Sequence, residues 1–109
     1  MTQEAFIKVL DRKDYSYKIK GDLIVVTYKG SVSFDALTSL PPGVEFRNGG
    51  YVVLPSLTSL PSGVVFSNKG EVNLGYLIGR WFKEWKGNIE GIASKRLLNV
   101  MIKQGIFER

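Results

Sequence analysis

A stretch of 20 residues that occurs twice in succession constrains the fold more than any other feature of the chain. The first copy is LTSLPPGVEFRNGGYVVLPS at residues 37–56, and the second is LTSLPSGVVFSNKGEVNLGY at residues 57–76. Twelve of the 20 positions are identical. One unit of this length cannot bury its own apolar face, so the repeat predicts a stack of similar units.

From residue 44 onward, retained positions alternate with altered ones, and this alternation predicts strands. Successive side chains of a strand point to opposite faces. We therefore expect the retained even-numbered positions to face a shared core and the altered odd-numbered positions to face solvent. The Asn-Gly-Gly and Asn-Lys-Gly segments predict a corner that divides each unit into two short strands. The retained residues are Val44, Phe46, Asn48, Gly50, Val52 and Leu54, matched by Val64, Phe66, Asn68, Gly70, Val72 and Leu74.

Stacking of the units predicts direct contacts between residues 20 positions apart. Phe46 is expected over Phe66, and Asn48 over Asn68 as a polar ladder whose amides bond to neighbouring backbone. Residues 23–36 fit the same pattern weakly when shifted by 20, which predicts a degenerate first coil. Tyr28 stands there in place of the ladder Asn, so we expect a ladder of two rungs.

The segments on either side of the repeat predict different elements. Residues 2–12 predict a helix that is capped by Thr2 and has an apolar stripe of Phe6, Val9 and Leu10. Residues 15–28 predict a β-hairpin with its turn at Gly21–Asp22. Residues 94–104, SKRLLNVMIKQ, have the clearest helical pattern of the chain, with an apolar stripe and Gly105 as the stop. For the aromatic segment RWFKEWK at residues 80–86, helix and strand remain open alternatives.

These elements together predict a mainly β protein with helical (α+β) caps, a short three-coil β-solenoid or leucine-rich-like repeat. An N-terminal helix and a C-terminal helical cap are expected to cover the two ends. We expect one domain over residues 1–109, with an N-terminal helix cap at 1–14 and a hairpin with the degenerate first coil at 15–36. The two repeats follow at 37–76, and an aromatic-basic segment with the C-terminal helix at 77–109.

The composition argues against most catalytic chemistry. The chain has neither Cys nor His, which excludes disulfides, Cys nucleophiles, His general bases and the usual zinc sites. It also lacks a Gly-rich phosphate-binding loop. We therefore expect a protein that is not an enzyme and has no cofactor or metal. The polar start of the chain and the lack of a long apolar run predict a cytoplasmic protein without a membrane segment.

The net charge of +5 is concentrated in the C-terminal third, where residues 77–109 carry seven basic and three acidic groups. Such asymmetry is typical of proteins with an anionic partner, although a solvated basic cap gives the same count. Nucleic-acid binding by this third is therefore the alternative function. Trp81 and Trp85 would supply stacking groups for single-stranded bases.

The segment RWFKEWK has the composition of an interaction site, because aromatic residues and Arg are enriched at binding hot spots. The alternative is that its tryptophans cover the last coil while its cations extend into solvent. Exposed residues that vary between the units add further candidates. The predicted partner-binding residues are Arg80, Trp81, Phe82, Lys83, Trp85, Lys86, Arg47, Tyr51, Lys95 and Arg96.

The repeat, written LTSLPxGVxFxNxGxVxL, resembles the tandem 20-residue leucine-rich-like repeats of small phage and bacterial proteins. It is also similar, through LTSLP and the Asn, to the short leucine-rich repeats of bacterial effectors. The second likeness implies protein binding, although Phe46 and Phe66 stand where Leu is usual. The segment SKRLLNVMIKQGIFER is similar to the last helix and following strand of winged-helix DNA-binding domains, without the helix-turn that should precede it.

The leading hypothesis is therefore a protein-binding repeat module. The resemblance implies a phage or mobile-element protein that modulates a host protein. We expect a monomer or a homodimer. Any self-association is expected through the N-terminal end or the aromatic C-terminal segment.

Overall fold

The computed structural model describes residues 1–75, 77, 92–93 and 95–104, and this part of the chain is a small α+β protein with strands in two sheets. The elements are α1 (Gln3–Arg12), β1 (Tyr17–Lys20), β2 (Leu23–Val26), β3 (Val32–Ser33), β4 (Val44–Phe46), β5 (Val52–Val53), β6 (Val64–Phe66), β7 (Val72–Asn73), β8 (Ile92–Ala93) and α2 (Lys95–Lys103).

The two sheets are built from the same spacing along the chain. The first sheet has the order β1-β2-β4-β6, and the second has the order β3-β5-β7-β8. The strands β2, β4 and β6 pair in parallel, as do β3, β5 and β7. Each parallel pair joins residues 20 positions apart, such as Phe46 with Phe66 and Val52 with Val72. Each 20-residue unit thus contributes one strand to each sheet, in the alignment predicted from the repeat.

The core lies between the sheets and contains the retained positions of the repeat. The rings of Phe46 and Phe66 are stacked, with centroids 5.5 Å apart and planes inclined by 8°. Phe34, from the degenerate first unit, lies 6.3 Å from Phe46. These rings are all at most 2% exposed, so their burial contributes strongly to the stability of the stack.

Helix α1 covers the N-terminal end of this core. Thr2 caps it as predicted, because its Oγ1 accepts a hydrogen bond from the Ala5 N–H at 3.1 Å. Phe6 and Leu10 are fully buried, and the Phe6 ring lies 5.6 Å from that of Phe34. The predicted apolar stripe therefore packs on the first unit of the stack.

A polar contact joins the end of α1 to the hairpin formed by β1 and β2. The Tyr17 hydroxyl donates a hydrogen bond of 3.0 Å to Asp11 Oδ1. This bond raises the pKa of Tyr17 above its ordinary value, because the hydroxyl proton is held by the carboxylate. The hairpin turns at the predicted Gly21–Asp22, where Gly21 has a φ of +59°.

The outer face of the first sheet is less exposed than the alternation predicts. Val25 is 2% exposed, Glu45 8% and Val65 39%, although all three lie in one outward column. Val25 is flanked in register by Lys18 and Glu45, and Glu45 by Val25 and Val65. Val65 stands on the last strand of this sheet. The expectation that odd-numbered positions are open to solvent is therefore wrong for the inner strands, whose side chains cover one another.

The predicted asparagine ladder has two rungs. Asn48 Nδ2 contacts the carbonyl oxygens of Gly30, Gly50 and Tyr51 at 2.9–3.2 Å. Asn68 Nδ2 makes the corresponding contacts one unit later. Each amide therefore joins its own corner to the corner of the preceding unit. Both side chains are fully buried.

The C-terminal end of the stack is closed differently in the two sheets. Helix α2 packs on β6 with Leu98, Met101 and Ile102 buried. Strand β8 pairs antiparallel with β7, and the sequence pattern did not predict β8 because it lies outside the repeat. The proposed stop at Gly105 and most of the aromatic segment lie outside the described residues. Neither helix of the described part is long and apolar enough to cross a lipid bilayer.

Candidate protein-binding surface

Arg47 and Tyr51 lie on the two sides of the same corner of the first repeat. Arg47 directly follows β4, and Tyr51 directly precedes β5. The corner between them is fixed from inside, because Asn48 Nδ2 bonds to the carbonyl oxygens of Gly50 and Tyr51. The buried ladder thus holds two exposed side chains in place without using their functional groups.

Arg47 belongs to an ion pair with the largely buried Glu45. Its side chain is 56% exposed, whereas that of Glu45 is 11% exposed, and Arg47 Nε donates to Glu45 Oε2. A guanidinium carries five N–H donors, and this contact uses one of them. Arg47 can therefore balance the Glu45 charge and still offer donors to an anionic or carbonyl group of a partner.

Tyr51 supplies an aromatic ring that is held at its base. The residue is 55% exposed, and its N–H donates to Ser31 Oγ at 2.9 Å. A Cβ atom placed on Gly70 would lie 2.8 Å from Tyr51 Cε1, so the ring lies against that glycine. An exposed, positioned tyrosine gives apolar contact area and a hydroxyl together, which is typical of binding hot spots.

Lys95 and Arg96 begin helix α2, at the C-terminal end of the stack. Arg96 is exposed and Lys95 is partly exposed. The first turn of α2 contains no acidic residue, so these cations meet the unfavourable end of the helix dipole. No ion pair or hydrogen bond in the described part of the chain joins them to Arg47 or Tyr51. The structure thus brings together two of these four predicted residues, and the other two form a separate pair.

The remaining predicted site residues lie outside the described residues. They are Arg80, Trp81, Phe82, Lys83, Trp85 and Lys86.

The binding residues predicted from the sequence do not include two exposed apolar residues of the first sheet. Ile19 in β1 is 54% exposed, and Val65 in β6 is 39% exposed. Both lie on the outermost strands of the first sheet, and spacing within the repeat does not reveal which strands are outermost. A signal was present for Val65, because it replaces the charged Glu45 of the other unit at an altered position.

The described surface offers contacts but no cluster typical of a metal centre. Within residues 1–75 and the described C-terminal pieces, no three of Asp, Glu, Cys or His side chains could hold a metal ion together. Comparisons with protein families, with curated proteins and with solved structures found no significant match. The proposal for the function rests on the contacts and exposures given above.

Proposed function

We propose that this chain is a short β-solenoid that binds another protein and does so without catalysis. The constant offset of 20 residues in both sheets supports the solenoid architecture, with residues 23–36 as a degenerate first coil. The two-rung asparagine ladder supports it as well, since each amide contacts the corner of the preceding unit.

The contrast between buried and exposed columns carries the functional proposal. The core positions on the even-numbered side of the strands are the same in both units, whereas the exposed corner differs. Arg47 stands against Ser67, and Tyr51 against Glu71. A frame that holds different side chains at equivalent exposed positions can acquire a binding surface without loss of fold.

The surface we assign first is the corner formed by Arg47 and Tyr51. Lys95 and Arg96 would contribute a second contact, together with the aromatic-basic segment at residues 80–86. The resemblance to the repeats of phage and bacterial proteins motivates a finer proposal, namely that the chain comes from a phage or mobile element and modulates a protein of the host.

The test is affinity purification from native cells, with each captured protein quantified by mass spectrometry. Two substitutions exchange residues of the first unit for those that the second unit already tolerates, Arg47→Ser and Tyr51→Glu. Lys8→Ala is the matched control, because it removes an exposed positive charge from α1. We expect a stoichiometric protein partner that the double variant loses and the control retains.

The alternative function, nucleic-acid binding, is favoured by one observation, the exposed Arg96 and the partly exposed Lys95 at the start of α2. Nuclease-sensitive recovery of nucleic acid, with no stoichiometric protein, would contradict the proposal and favour this alternative. Binding to DNA or RNA would then weaken steeply as salt rises, because phosphate contacts release counterions. Replacing Lys95 and Arg96 by Gln would reduce that salt dependence.

A further inference from the structure

We propose that the outer edge of β1 binds an extended acidic segment of another protein, which adds a strand to the first sheet. This inference rests on the proposed protein-binding function and assigns it a second, separate surface. An exposed sheet edge gives a partner main-chain hydrogen bonds, and its side chains decide which partner fits.

Three other strands, β3, β6 and β7, have contacts at their outer sides in the described structure. At β6, the Phe66 N–H donates to Asn99 Oδ1 at 2.9 Å, and Asn99 Nδ2 donates to the Phe66 carbonyl at 3.0 Å. At β3, the Ser33 N–H donates to the Tyr15 hydroxyl at 3.2 Å. Strand β8 continues the second sheet beyond β7. No described residue pairs with the outer side of β1.

The pairing of β1 with β2 identifies which backbone groups point outward. The Thr27 N–H donates to the Ser16 carbonyl at 2.9 Å, so these two residues form a hydrogen-bonded pair of the hairpin. Hydrogen-bonded and non-hydrogen-bonded pairs alternate in an antiparallel ladder. Lys18 and Lys20 therefore bond to β2, whereas the N–H and C=O groups of Tyr17 and Ile19 point away from it. The edge offers two donors and two acceptors to an added strand.

The side chains of this strand separate by charge onto its two faces. Residues directly opposite one another in a sheet share a face. Ile19 pairs with the buried Ile24 and so lies on the core side of the sheet, yet it is 54% exposed. Lys18 and Lys20 pair with Val25 and Leu23, and both lysines are exposed on the outer side. The edge is thus apolar on one face and cationic on the other.

This charge pattern disfavours a second copy of the same chain as the added strand. A two-fold axis that continues the sheet antiparallel must be perpendicular to it, so the numbers of two opposed residues have an even sum. In either such register that pairs three residues of β1, Lys18 faces Lys18 or Lys20 of the other copy. Like charges directly opposite destabilise a sheet. Lysines on an edge are a recognised means of preventing self-pairing.

A segment with acidic and apolar residues in alternation fits the same edge. Carboxylates would stand opposite Lys18 and Lys20, and an apolar side chain would cover Ile19. Both contacts occur in one register because the period of a strand is two. Charge complementarity would also exclude basic segments from this edge.

The first test uses two synthetic peptides and the whole protein. One peptide alternates Val with Glu over ten residues, and the other alternates Val with Lys. We expect the acidic peptide to shift the NMR amide signals of Tyr17 and Ile19 and to slow their hydrogen exchange. Because two opposed charge pairs change sign, the basic peptide should bind about tenfold more weakly or worse.

Variants of β1 separate backbone pairing from charge. Ile19→Pro removes an outward N–H that the fold does not use, and proline is tolerated at such edge positions. Ile19→Val is its matched control, since it retains the N–H. Loss of acidic-peptide binding is expected for the first and retention for the second. Lys18→Glu combined with Lys20→Glu should reverse the preference toward the basic peptide, and this arm decides the matter if the proline variant does not fold.

Three results would overturn the inference. They are equal binding of the two peptides, signal changes confined to residues away from β1, and self-association of the wild type that Ile19→Pro abolishes. The purification experiment separates this inference from the proposed function. A partner that is still captured by the Ile19→Pro variant would leave protein binding intact and remove the edge as its site. Peptide binding at β1 with no captured protein would support the edge as a binding site and contradict the proposed function.

Discussion

Replacing Asn48 tests whether a single buried amide holds two units together. Its Nδ2 group contacts three carbonyl oxygens, and its Oδ1 accepts no hydrogen bond from the described residues. The polar contribution of this side chain is therefore that of its two N–H donors. We expect Asn48→Ala to destabilise the protein far more than an alanine at an exposed asparagine.

The magnitude follows from what each carbonyl keeps after the change. The Tyr51 carbonyl also accepts from the Val32 N–H, and the Gly50 carbonyl also accepts from the Gly70 N–H. The Gly30 carbonyl has no other donor among the described residues. One unsatisfied buried carbonyl costs about 1–3 kcal/mol, and the second lost hydrogen bond costs about 1 kcal/mol. The expected loss for Asn48→Ala is therefore about 2–4 kcal/mol, a large part of the roughly 5–15 kcal/mol typical of a domain.

Asn48→Asp keeps the shape and removes the donors. A carboxylate at this fully buried position would face carbonyl oxygens, so burial and repulsion should raise its pKa in the folded state above the roughly 3.9 of an unfolded Asp. The protonated form has one O–H that can bond a carbonyl. Its stabilising contribution is thus present below the unfolded pKa and is lost as pH rises through the folded pKa. At neutral pH the Asp variant should be less stable than the Ala variant.

Urea denaturation followed by circular dichroism at several pH values between 4 and 8 measures these differences relative to the wild type. Asn73→Ala is the control, because among the described residues the Asn73 side chain has one hydrogen-bond partner, the Gly75 N–H, which donates to Asn73 Oδ1 at 2.8 Å. A loss of about 1 kcal/mol is expected there. The reasoning is refuted if Asn48→Ala costs no more than this control. It is also refuted if the Asp variant loses stability, relative to the wild type, as pH falls.

Four further substitutions test the stack in the same denaturation assay. Phe46→Ala should cost about 3–5 kcal/mol because the ring is fully buried. Ser67→Ala, at an exposed position, should cost no more than about 0.5 kcal/mol. The opposite order would invert the assignment of the buried and exposed faces. Asn99→Ala should cost about 2–4 kcal/mol and speed hydrogen exchange of the Phe66 amide, since both Phe66 backbone groups lose their partner; unchanged exchange would contradict this. Gly50→Ala should cost about 1–3 kcal/mol, because a Cβ there would lie 2.7 Å from a backbone nitrogen of the preceding unit, and a neutral result would argue against that close approach.

The strand alignment could be predicted because equivalent residues of two sequence repeats are expected to pair with one another. Once Phe46 is matched to Phe66, every other pair in both sheets follows at the same offset. The asparagine ladder could be predicted for the same reason. Helix α1 was predictable from local signals, a capping Thr2 and an apolar stripe.

The contacts at the ends of the stack could not be predicted from spacing. Asn99 bonds to Phe66, and Tyr15 to Ser33, each across unique sequence that no second copy aligns. The burial of Glu45 also escaped prediction, because alternation indicates a face and not how many strands flank it. The same limit concealed the exposed Ile19, whose setting depends on β1 being the outermost strand.

The candidate surface was predictable in kind but only partly in place. Arg47 and Tyr51 were identified because they differ between units that are otherwise alike, and the corner does bring them together. The backbone between them is held by hydrogen bonds from Asn48. The repeat predicts that Asn48 bonds to neighbouring backbone, but it does not identify the carbonyl groups that accept. Lys95 and Arg96 were chosen for charge alone, and the fold assigns them to a different end.

The fixed pairing offset means that the chain can change length without changing its ends. The first sheet ends with the hairpin on one side and with the contact between Asn99 and Phe66 on the other, and neither end involves the boundary between residues 56 and 57. If a further copy of residues 37–56 were inserted at that boundary, its asparagine would bond to the Gly50 carbonyl, which Asn68 now contacts. Each duplication would lengthen the stack by about 4.8 Å, one strand spacing. Insertion of multiples of 20 residues is therefore the expected way in which such a chain would enlarge its exposed surface.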